Sequence, residues 1–283
     1  MKLANKSYQK LASEGPLEFL KSSKNYIQKI KRSHAEYFKQ EIKHKYQYRR
    51  SAPNTYKLIH IDPAEVTHSI SPRHYRRIGR YGTYILDGEW DKRIVDHDVH
   101  YDGEHPEIDQ TSLVPFENYS LYRSLYNHFK EDIPWEDTEF FTRYEKLSEE
   151  GKWNSRRYAA SEIQEQLAFL DDLYQNISEG KYLTQRELGK NSTGAIPPEE
   201  NEVIISIGRD GDLFQDGGGQ HRLMLSKIAD KDEIPVRVFV RHKEWQRTRS
   251  SIAKSADPKR AIVKEGIDPD HPDLQDIVPC FAA

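Results

Sequence analysis

Residues 202–242, EVIISIGRDGDLFQDGGGQHRLMLSKIADKDEIPVRVFVRH, hold the pattern that decides the fold. The β-branched residues of Glu202–Gly208 predict a strand, and the Asp-Gly pair that follows predicts a tight turn. Leu213–Gln215 then begins a return strand, and three glycines come directly after it. The apolar spacing of Gln220–Ala229 predicts a helix, and Ile234–Val240 predicts a final strand. The sequence therefore predicts strand, turn, strand, glycine loop, helix and strand in that order.

Other segments of the chain show weaker patterns. Apolar residues recur at helical spacing in four stretches: Pro16–Arg50, Val114–Lys130, Trp135–Glu150 and Ser161–Ser178. Tyr56–Ile61 predicts a short strand. Ser69–Gln110 is rich in Arg, His, Asp and Gly and predicts loops, with Tyr84–Leu86 as its one good strand candidate.

These patterns predict an α/β (α+β) protein with a small mixed sheet, helices and three regions. Residues 1–52 form a basic amphipathic helical arm, and residues 53–242 form the main domain. That domain carries a long insertion at about 69–157. Residues 243–283 are polar, contain no repeat or clear second core, and are expected to be a tail.

Bulk composition excludes several classes of protein. The 283 residues are 36% hydrophobic, enough for a packed core, and no window approaches eighteen consecutive apolar residues. Met1–Lys10 lacks the apolar stretch of a secretory signal, so we expect a cytoplasmic protein without a transmembrane segment. The one cysteine, Cys280, makes an internal disulfide or a cysteine metal site impossible and redox catalysis unexpected.

The charge is distributed unevenly along the chain. Residues 1–50 contain thirteen Lys or Arg and four Glu, whereas the whole chain has a net charge of −3. A basic arm of this kind indicates contact with nucleic acid or with an anionic membrane surface. The alternative is a solvated helix face without a partner.

The glycine loop is the strongest candidate site. Glycine lets backbone N–H groups of Gly217–Gly219 turn toward one point, and the following helix adds its partly positive N-terminus, which together favour an anion. Arg222 offers a planar set of donors for phosphate, and His221 can donate a hydrogen bond or move a proton. Asp216 could bind Mg²⁺ or act as a base. The competing interpretation is a turn that needs glycine for its backbone angles, with Asp216 as a local cap.

Other motifs carry less information. The P-loop signature and the His-Glu-x-x-His zinc motif are both absent. His97, His100 and His105 alternate with aspartates, but their spacing fits no standard ligand pattern, so a solvated loop is the favoured interpretation. The four tryptophans are expected to anchor the core or its seams.

Gly218-Gly219-Gln220-His221-Arg222 resembles the Gly-Gly-Cys-His-Arg nucleotide loop of sulfiredoxin. The run from Val203 to Val240 resembles the end of ParB N-terminal domains and of the related free serine kinases. Leu58–Pro63 is similar to the opening strand of that superfamily, and Leu170–Gln185 is similar to its helix and following Gly-x-x-x-x-Gln step. The resemblance covers roughly residues 56–66 and 160–242.

This resemblance implies a ParB and sulfiredoxin-like fold with a nucleotide site, and three departures narrow the function. Gln220 replaces the catalytic cysteine of sulfiredoxin, which excludes sulfinic acid reduction. About forty polar residues follow His242 where ParB proteins continue into a helix-turn-helix region. The resemblance would match Asp216 and His221 to the acid and the histidine that flank the phosphate loop of the free serine kinase, but two extra residues separate them here.

Two main hypotheses follow. In the first, the protein is a phosphotransferase that moves a phosphoryl group from ATP, CTP or a similar nucleotide, with Mg²⁺, to a small hydroxyl acceptor. Asp216 and His221 are then catalytic, with Asp216 as a metal ligand. The nucleotide phosphates are held by the remaining predicted residues: Gly217, Gly218, Gly219, Gln220, Arg222, Gln185 and Arg186. In the second, the protein is a non-catalytic ParB-like module whose residues 1–50 bind nucleic acid. A third places the same arm on an anionic membrane.

Overall fold

A computed structural model describes residues 39–54, 56–71, 74, 84–96, 98, 111–149, 163–189 and 197–278. Residues 1–38 lie outside the described residues, and with them most of the predicted basic arm and its predicted contact with nucleic acid or membrane. The described remainder of the arm is helical over residues 39–48 and ends in a 3-10 turn, Arg49–Ser51. No helix of the described chain is long and apolar enough to cross a bilayer.

The described elements comprise seven strands and six named α-helices. The strands are β1 Leu58–Ile61, β2 His68–Ser71, β3 Tyr84–Leu86, β4 Ser112–Pro115, β5 Val203–Ile207, β6 Leu213–Gln215 and β7 Ile234–His242. The helices are α1 Ser120–Lys130, α2 Glu139–Glu149, α3 Ile163–Ser178, α4 Gln220–Ile228, α5 Lys243–Lys254 and α6 Pro258–Glu265.

All seven strands form one mixed sheet, in the order β1-β7-β5-β6-β2-β4, with β3 beside the second half of β7. β7 is parallel to β5 and β3 and antiparallel to β1. Every residue of β7 is buried, as expected for a central strand. The predicted α/β class is confirmed at this level, and the predicted β5, β6, α4 and β7 occur in the predicted order.

Each face of the sheet buries a hydrophobic cluster. The larger one includes Ile205 and Val236 and is covered by helices α1, α3 and α4, as the buried Leu125, Leu170 and Leu223 show. The smaller one lies around Ile204, Phe214, Trp90 and Phe239. Its members come mostly from strand positions that alternate with those of the larger cluster, because successive side chains of a strand point to opposite faces.

The described part of the region at about 69–157 belongs to the main fold. Loops were predicted only for Ser69–Gln110, and the helices predicted within Val114–Lys130 and Trp135–Glu150 are present as α1 and α2. The region supplies β2, β3 and β4 to the sheet and α1 and α2 to the core. β2 pairs with both β4 and β6, so this region continues the sheet beyond the glycine loop. The sequence missed β2 and β4 because short strands are stabilised by pairing with distant segments and carry little local signal.

The prediction of a polar tail over residues 243–283 is wrong for the described residues up to 278. Helices α5 and α6 pack on the core through Trp245, Ile252 and Ile262. Asp273 is buried and accepts hydrogen bonds from Arg241, at 2.6 and 3.0 Å, and from the Trp245 indole at 2.9 Å. Burial alone raises the pKa of Asp273, but Arg241 and Arg249 outweigh this effect and hold it below its usual range.

Candidate anion-binding site

The glycine turn connects the end of β6 to the start of α4. Gly219 has a left-handed backbone, with φ 77°, and occupies the N-cap position of α4. A Cβ at this position would lie 2.6 Å from Val203 Cα, which is closer than real Cβ contacts come. Gly219 is therefore required both for its backbone angle and for the close approach of the turn to β5.

The other two glycines differ in their surroundings. A Cβ on Gly217, which is buried, would lie 3.0 Å from two side-chain atoms of Ile204. Gly218 is exposed, and its Cβ would meet nothing closer than the Glu202 carbonyl oxygen at 3.5 Å. Close packing thus explains Gly217 and Gly219, whereas neither packing nor backbone angle requires glycine at position 218.

The backbone N–H groups of this turn are the feature that favours an anion. Within the described part of the chain, the amides of Gly218 and Gly219 have no hydrogen-bond acceptor. The carbonyl oxygens are used differently: Gly218 accepts from the Ile204 N–H at 3.1 Å, and Gly219 accepts from the Leu223 N–H at 3.0 Å. The Gly218 and Gly219 amides lie at the positive end of the nine-residue helix α4.

Asp216 has a different role from the predicted base or metal ligand. It is fully buried, and its carboxylate accepts the His74 backbone N–H at 2.7 Å and His74 Nδ1 at 3.0 Å. The Ser206 hydroxyl donates a further, short hydrogen bond to it. A carboxylate that receives three donors and has no exposed surface cannot reach a bound phosphate or a hydrated Mg²⁺ without rearrangement. In the structure Asp216 joins residue 74 to the β5–β6 hairpin.

Two further side chains support the turn from inside. Gln215 accepts a hydrogen bond from the Ser69 hydroxyl at 2.5 Å and donates one to the Gly217 carbonyl oxygen at 2.8 Å. Trp90 meets the His74 ring edge-on, with 4.8 Å between ring centroids. The turn is thus held by a buried polar network, and buried networks whose members are satisfied are rigid.

Arg222 is engaged within the chain. Its guanidinium donates to Glu202 Oε2 at 2.6 Å and to the Asn201 carbonyl oxygen at 2.6 Å. Glu202 is fully buried, so the positive charge of Arg222 is needed to compensate the carboxylate. The neighbouring Tyr182 has its pKa raised to about 12, because burial disfavours the phenolate more than the nearby Arg222 favours it. The predicted role of Arg222 as a free phosphate donor therefore does not fit this geometry.

The structure brings Gln185 and Arg186 into the same area as Arg222. The Gln185 backbone N–H donates to Glu202 Oε1 at 2.5 Å, so Glu202 links Gln185 to Arg222. Arg186 binds Glu199 Oε1, with 2.6 Å between its Nη2 and that oxygen. The two glutamates that bind these residues, Glu199 and Glu202, were not predicted from the sequence. The acidic run just before β5 was the available signal for them.

The first turn of α4 contains the two remaining predicted residues. Gln220 begins the helix and is largely buried, and His221 follows it and is half-buried. Of the predicted site, the structure therefore leaves the Gly218 and Gly219 amides available to a ligand, with Gln220 and His221 next to them in sequence.

Neither a group of metal ligands among the described residues nor a similarity to a known protein indicates a function. Among the described residues, no three His, Cys, Asp or Glu side chains are grouped as a metal site. His97, His100 and His105 lie outside the described residues. Comparisons with protein-family models, curated proteins and solved structures found no match to this chain.

Proposed function

We propose that this protein binds the phosphate groups of a nucleotide at the Gly217–Gly219 turn. One observation carries the proposal: the amides of Gly218, which is exposed, and Gly219, the N-cap of α4, lack acceptors within the described chain. Backbone N–H groups at a helix N-terminus bind phosphate through hydrogen bonds and through the partial positive charge of the helix. The resemblance of residues 218–222 to a nucleotide loop supports the same ligand class.

In this proposal the predicted residues have revised roles. Gly218 and Gly219 contact phosphate at the positive end of α4, while Asp216 and Arg222 hold the turn and its neighbours in place. Asp216 is not offered as a magnesium ligand, because His74 and Ser206 already use its oxygens. Any Mg²⁺ would have to arrive with the nucleotide. Phosphoryl transfer to a small hydroxyl acceptor is the finer proposal, with His221 as its one titratable group in the first turn.

The binding proposal can be tested with two variants of equal size at position 218. Because a Cβ is tolerated there, both Gly218→Asn and Gly218→Asp should fold. Asp adds a negative charge where phosphate is expected, whereas Asn does not. An acidic residue near a helix N-terminus stabilises the helix by about 0.3–1 kcal/mol, so Gly218→Asp should be at least as stable as Gly218→Asn.

The measurement is calorimetric titration and thermal unfolding with ATP, CTP, GTP and inorganic triphosphate, each with and without Mg²⁺. A ligand at a hundred times its Kd should stabilise the wild type by about 2.7 kcal/mol. We expect Gly218→Asn to retain binding within a few fold and Gly218→Asp to lose at least tenfold. If none of these ligands binds the wild type, or if Gly218→Asp binds as well as Gly218→Asn, the proposed site is wrong.

Phosphoryl transfer needs a measurement separate from nucleotide binding. Transfer of the terminal phosphoryl group from the nucleotide that binds can be followed with a panel of small alcohols, including amino acids with a hydroxyl group. His221→Gln keeps a polar side chain but cannot titrate, so we expect loss of turnover with little change in nucleotide Kd. Unchanged turnover in His221→Gln would remove this residue from the reaction while leaving the binding proposal intact.

A further inference from the structure

Strand β1 forms one edge of the sheet. It pairs with β7 on one side, with Leu58 opposite Arg237, His60 opposite Pro235 and Ile61 opposite Ile234. On its other side no described strand is paired with it. An unpaired edge presents a row of backbone donors and acceptors that another chain can use.

The register shows which backbone groups face outward. Antiparallel pairs alternate between hydrogen-bonded and non-hydrogen-bonded positions, and Pro235 has no N–H to donate. The His60–Pro235 pair is therefore assigned to the non-hydrogen-bonded position, which turns the N–H and C=O of Leu58 and His60 away from β7. Within the described chain these four groups make no turn or loop hydrogen bond. His60 is also exposed to solvent.

A groove of about 410 Å³ is lined by every residue of β1 and by Pro272 and Gln275 of the turn that packs against this strand. Its lining carries five exposed carboxylates and one lysine, Lys57; the carboxylates are Asp62, Glu65, Asp232, Glu233 and Asp270. None of the five forms an ion pair with a described residue. Lys227, near the end of α4, donates its ammonium to the carbonyl oxygen of Pro63, just after β1. This lysine is therefore not available to pair with the groove carboxylates.

We propose that the β1 edge is a docking surface for an extended, Lys- and Arg-rich segment of a partner protein. Such a segment would add as a strand beside β1 and take up the outward N–H and C=O groups of Leu58 and His60. Alternate side chains of the added strand lie on one face, so a basic residue at every second position can meet the carboxylates. Charge complementarity of this kind sets partner choice and speeds association.

Backbone docking and charge can be tested separately. His60→Pro removes the outward N–H without changing the carboxylates, and proline is tolerated on an edge strand where its N–H position faces solvent. His60→Thr is the matched control, because it also removes the imidazole but keeps the N–H. Asp232→Asn with Glu233→Gln removes two groove charges. Glu136→Gln with Glu145→Gln, both exposed on other elements, removes the same number of charges elsewhere.

The probe is a fluorescein-labelled peptide of Lys-Thr-Arg-Val repeats, and its acidic counterpart has Glu-Thr-Asp-Val repeats. Fluorescence anisotropy with the full chain at low salt should show binding of the basic peptide alone, weakening as NaCl is added. We expect His60→Pro and the groove double variant each to weaken binding at least fivefold, with His60→Thr and the control double variant within twofold of wild type.

Each contrary outcome overturns the proposal. Absence of binding at low salt removes the docking surface, and equal binding by His60→Pro and His60→Thr removes strand addition. Equal binding by the two double variants, or equal binding of the acidic peptide, shows that the groove carboxylates do not select the partner. Thermal unfolding of every variant identifies any that lost its fold, and the isosteric groove double variant then provides the decisive comparison.

Discussion

His74 binds both oxygens of the Asp216 carboxylate, with its backbone N–H 2.7 Å from Oδ1 and its Nδ1 3.0 Å from Oδ2. Because a carboxylate only accepts, Nδ1 carries the hydrogen in this pair. The Ser206 hydroxyl donates to Oδ2 as well. Asp216, which directly precedes the Gly217–Gly219 turn, is therefore fixed by His74 and by Ser206, two residues that lie far apart in the sequence, and both contacts are buried.

Replacing Asp216 with Asn should destabilise the protein by about 2–3 kcal/mol, since an amide presents a donor where three donors converge and leaves at least one of them without an acceptor. Ser206→Ala removes one donor and should be milder, at about 1 kcal/mol. Urea unfolding followed by tryptophan fluorescence measures both. If Asp216→Asn is as stable as the wild type, the hydrogen-bond network does not hold the turn.

Gly219→Ala and Gly218→Ala should differ sharply in stability. Gly219 has a positive φ and approaches Val203 Cα, so a methyl group there should destabilise the fold by about 2 kcal/mol or more. Gly218 has neither constraint, and its replacement should change stability by less than about 1 kcal/mol. Thermal unfolding of the two variants side by side checks the order, and equal losses would contradict the geometry.

Arg222→Met should cost about 3–5 kcal/mol of stability, because it leaves the buried Glu202 carboxylate without its compensating charge. Glu202→Gln in the same chain removes that uncompensated charge, so the double variant should be more stable than the sum of the two single changes implies. Denaturant unfolding of all four proteins forms a double-mutant cycle with an expected coupling of about 1–3 kcal/mol. A coupling near zero would mean that the pair is not formed in solution.

The folded protein should lose stability as the pH falls from about 6.5 to 4. Burial, with Lys43 and Arg241 nearby, lowers the pKa of His44 to about 4 in the folded chain, against 6.5 for an ordinary histidine. Between pH 6.5 and pH 4 the unfolded chain binds a proton at His44 that the folded chain does not. The stability gained from the neutral His44 is therefore fully present above pH 6.5 and is lost as the pH falls toward 4. The expected slope reaches about 1.4 kcal/mol per pH unit.

Urea unfolding at pH 7.5, 6.5, 5.5 and 4.5 tests the histidine assignment when wild type is compared with His44→Gln. Glutamine keeps the polar character but does not titrate, so the variant should show a shallower dependence in this window. Parallel pH profiles for the two proteins would show that another group is responsible.

Local sequence patterns predicted the order β5, β6, α4 and β7. The β-branched run at Val203–Ile207, the Asp-Gly turn and the glycine-to-helix step each depend on neighbouring residues, and the structure contains each of them. β2 and β4 depend on partners far along the chain, and no local pattern specifies those pairings. Residues 243–283 were predicted to be a polar tail because their charged residues hide the few that are buried, among them Arg249 in α5, which pairs with Asp273.

The candidate site shows the same difference between local patterns, which could be predicted, and long-range contacts, which could not. Sequence identified the glycine turn, and its backbone geometry accounts for Gly217 and Gly219. The roles of Asp216 and Arg222 were misread, because a charged side chain beside a glycine loop gives no indication of its buried partner. Glu202, His74 and Ser206 decide those roles, and only the folded arrangement brings them together.

The pairing of β1 with β7 also has a consequence for synthesis of the protein. The opening strand of the sheet finds its partner in Ile234–His242, and Arg241 in that strand is neutralised by Asp273 near the end of the described chain. A ribosome must synthesise the chain as far as β7 before the first of these contacts can form, and as far as Asp273 before the second can. Strand β1 should therefore stay unpaired until β7 has been synthesised, and the long separation of the two strands in the sequence should slow folding.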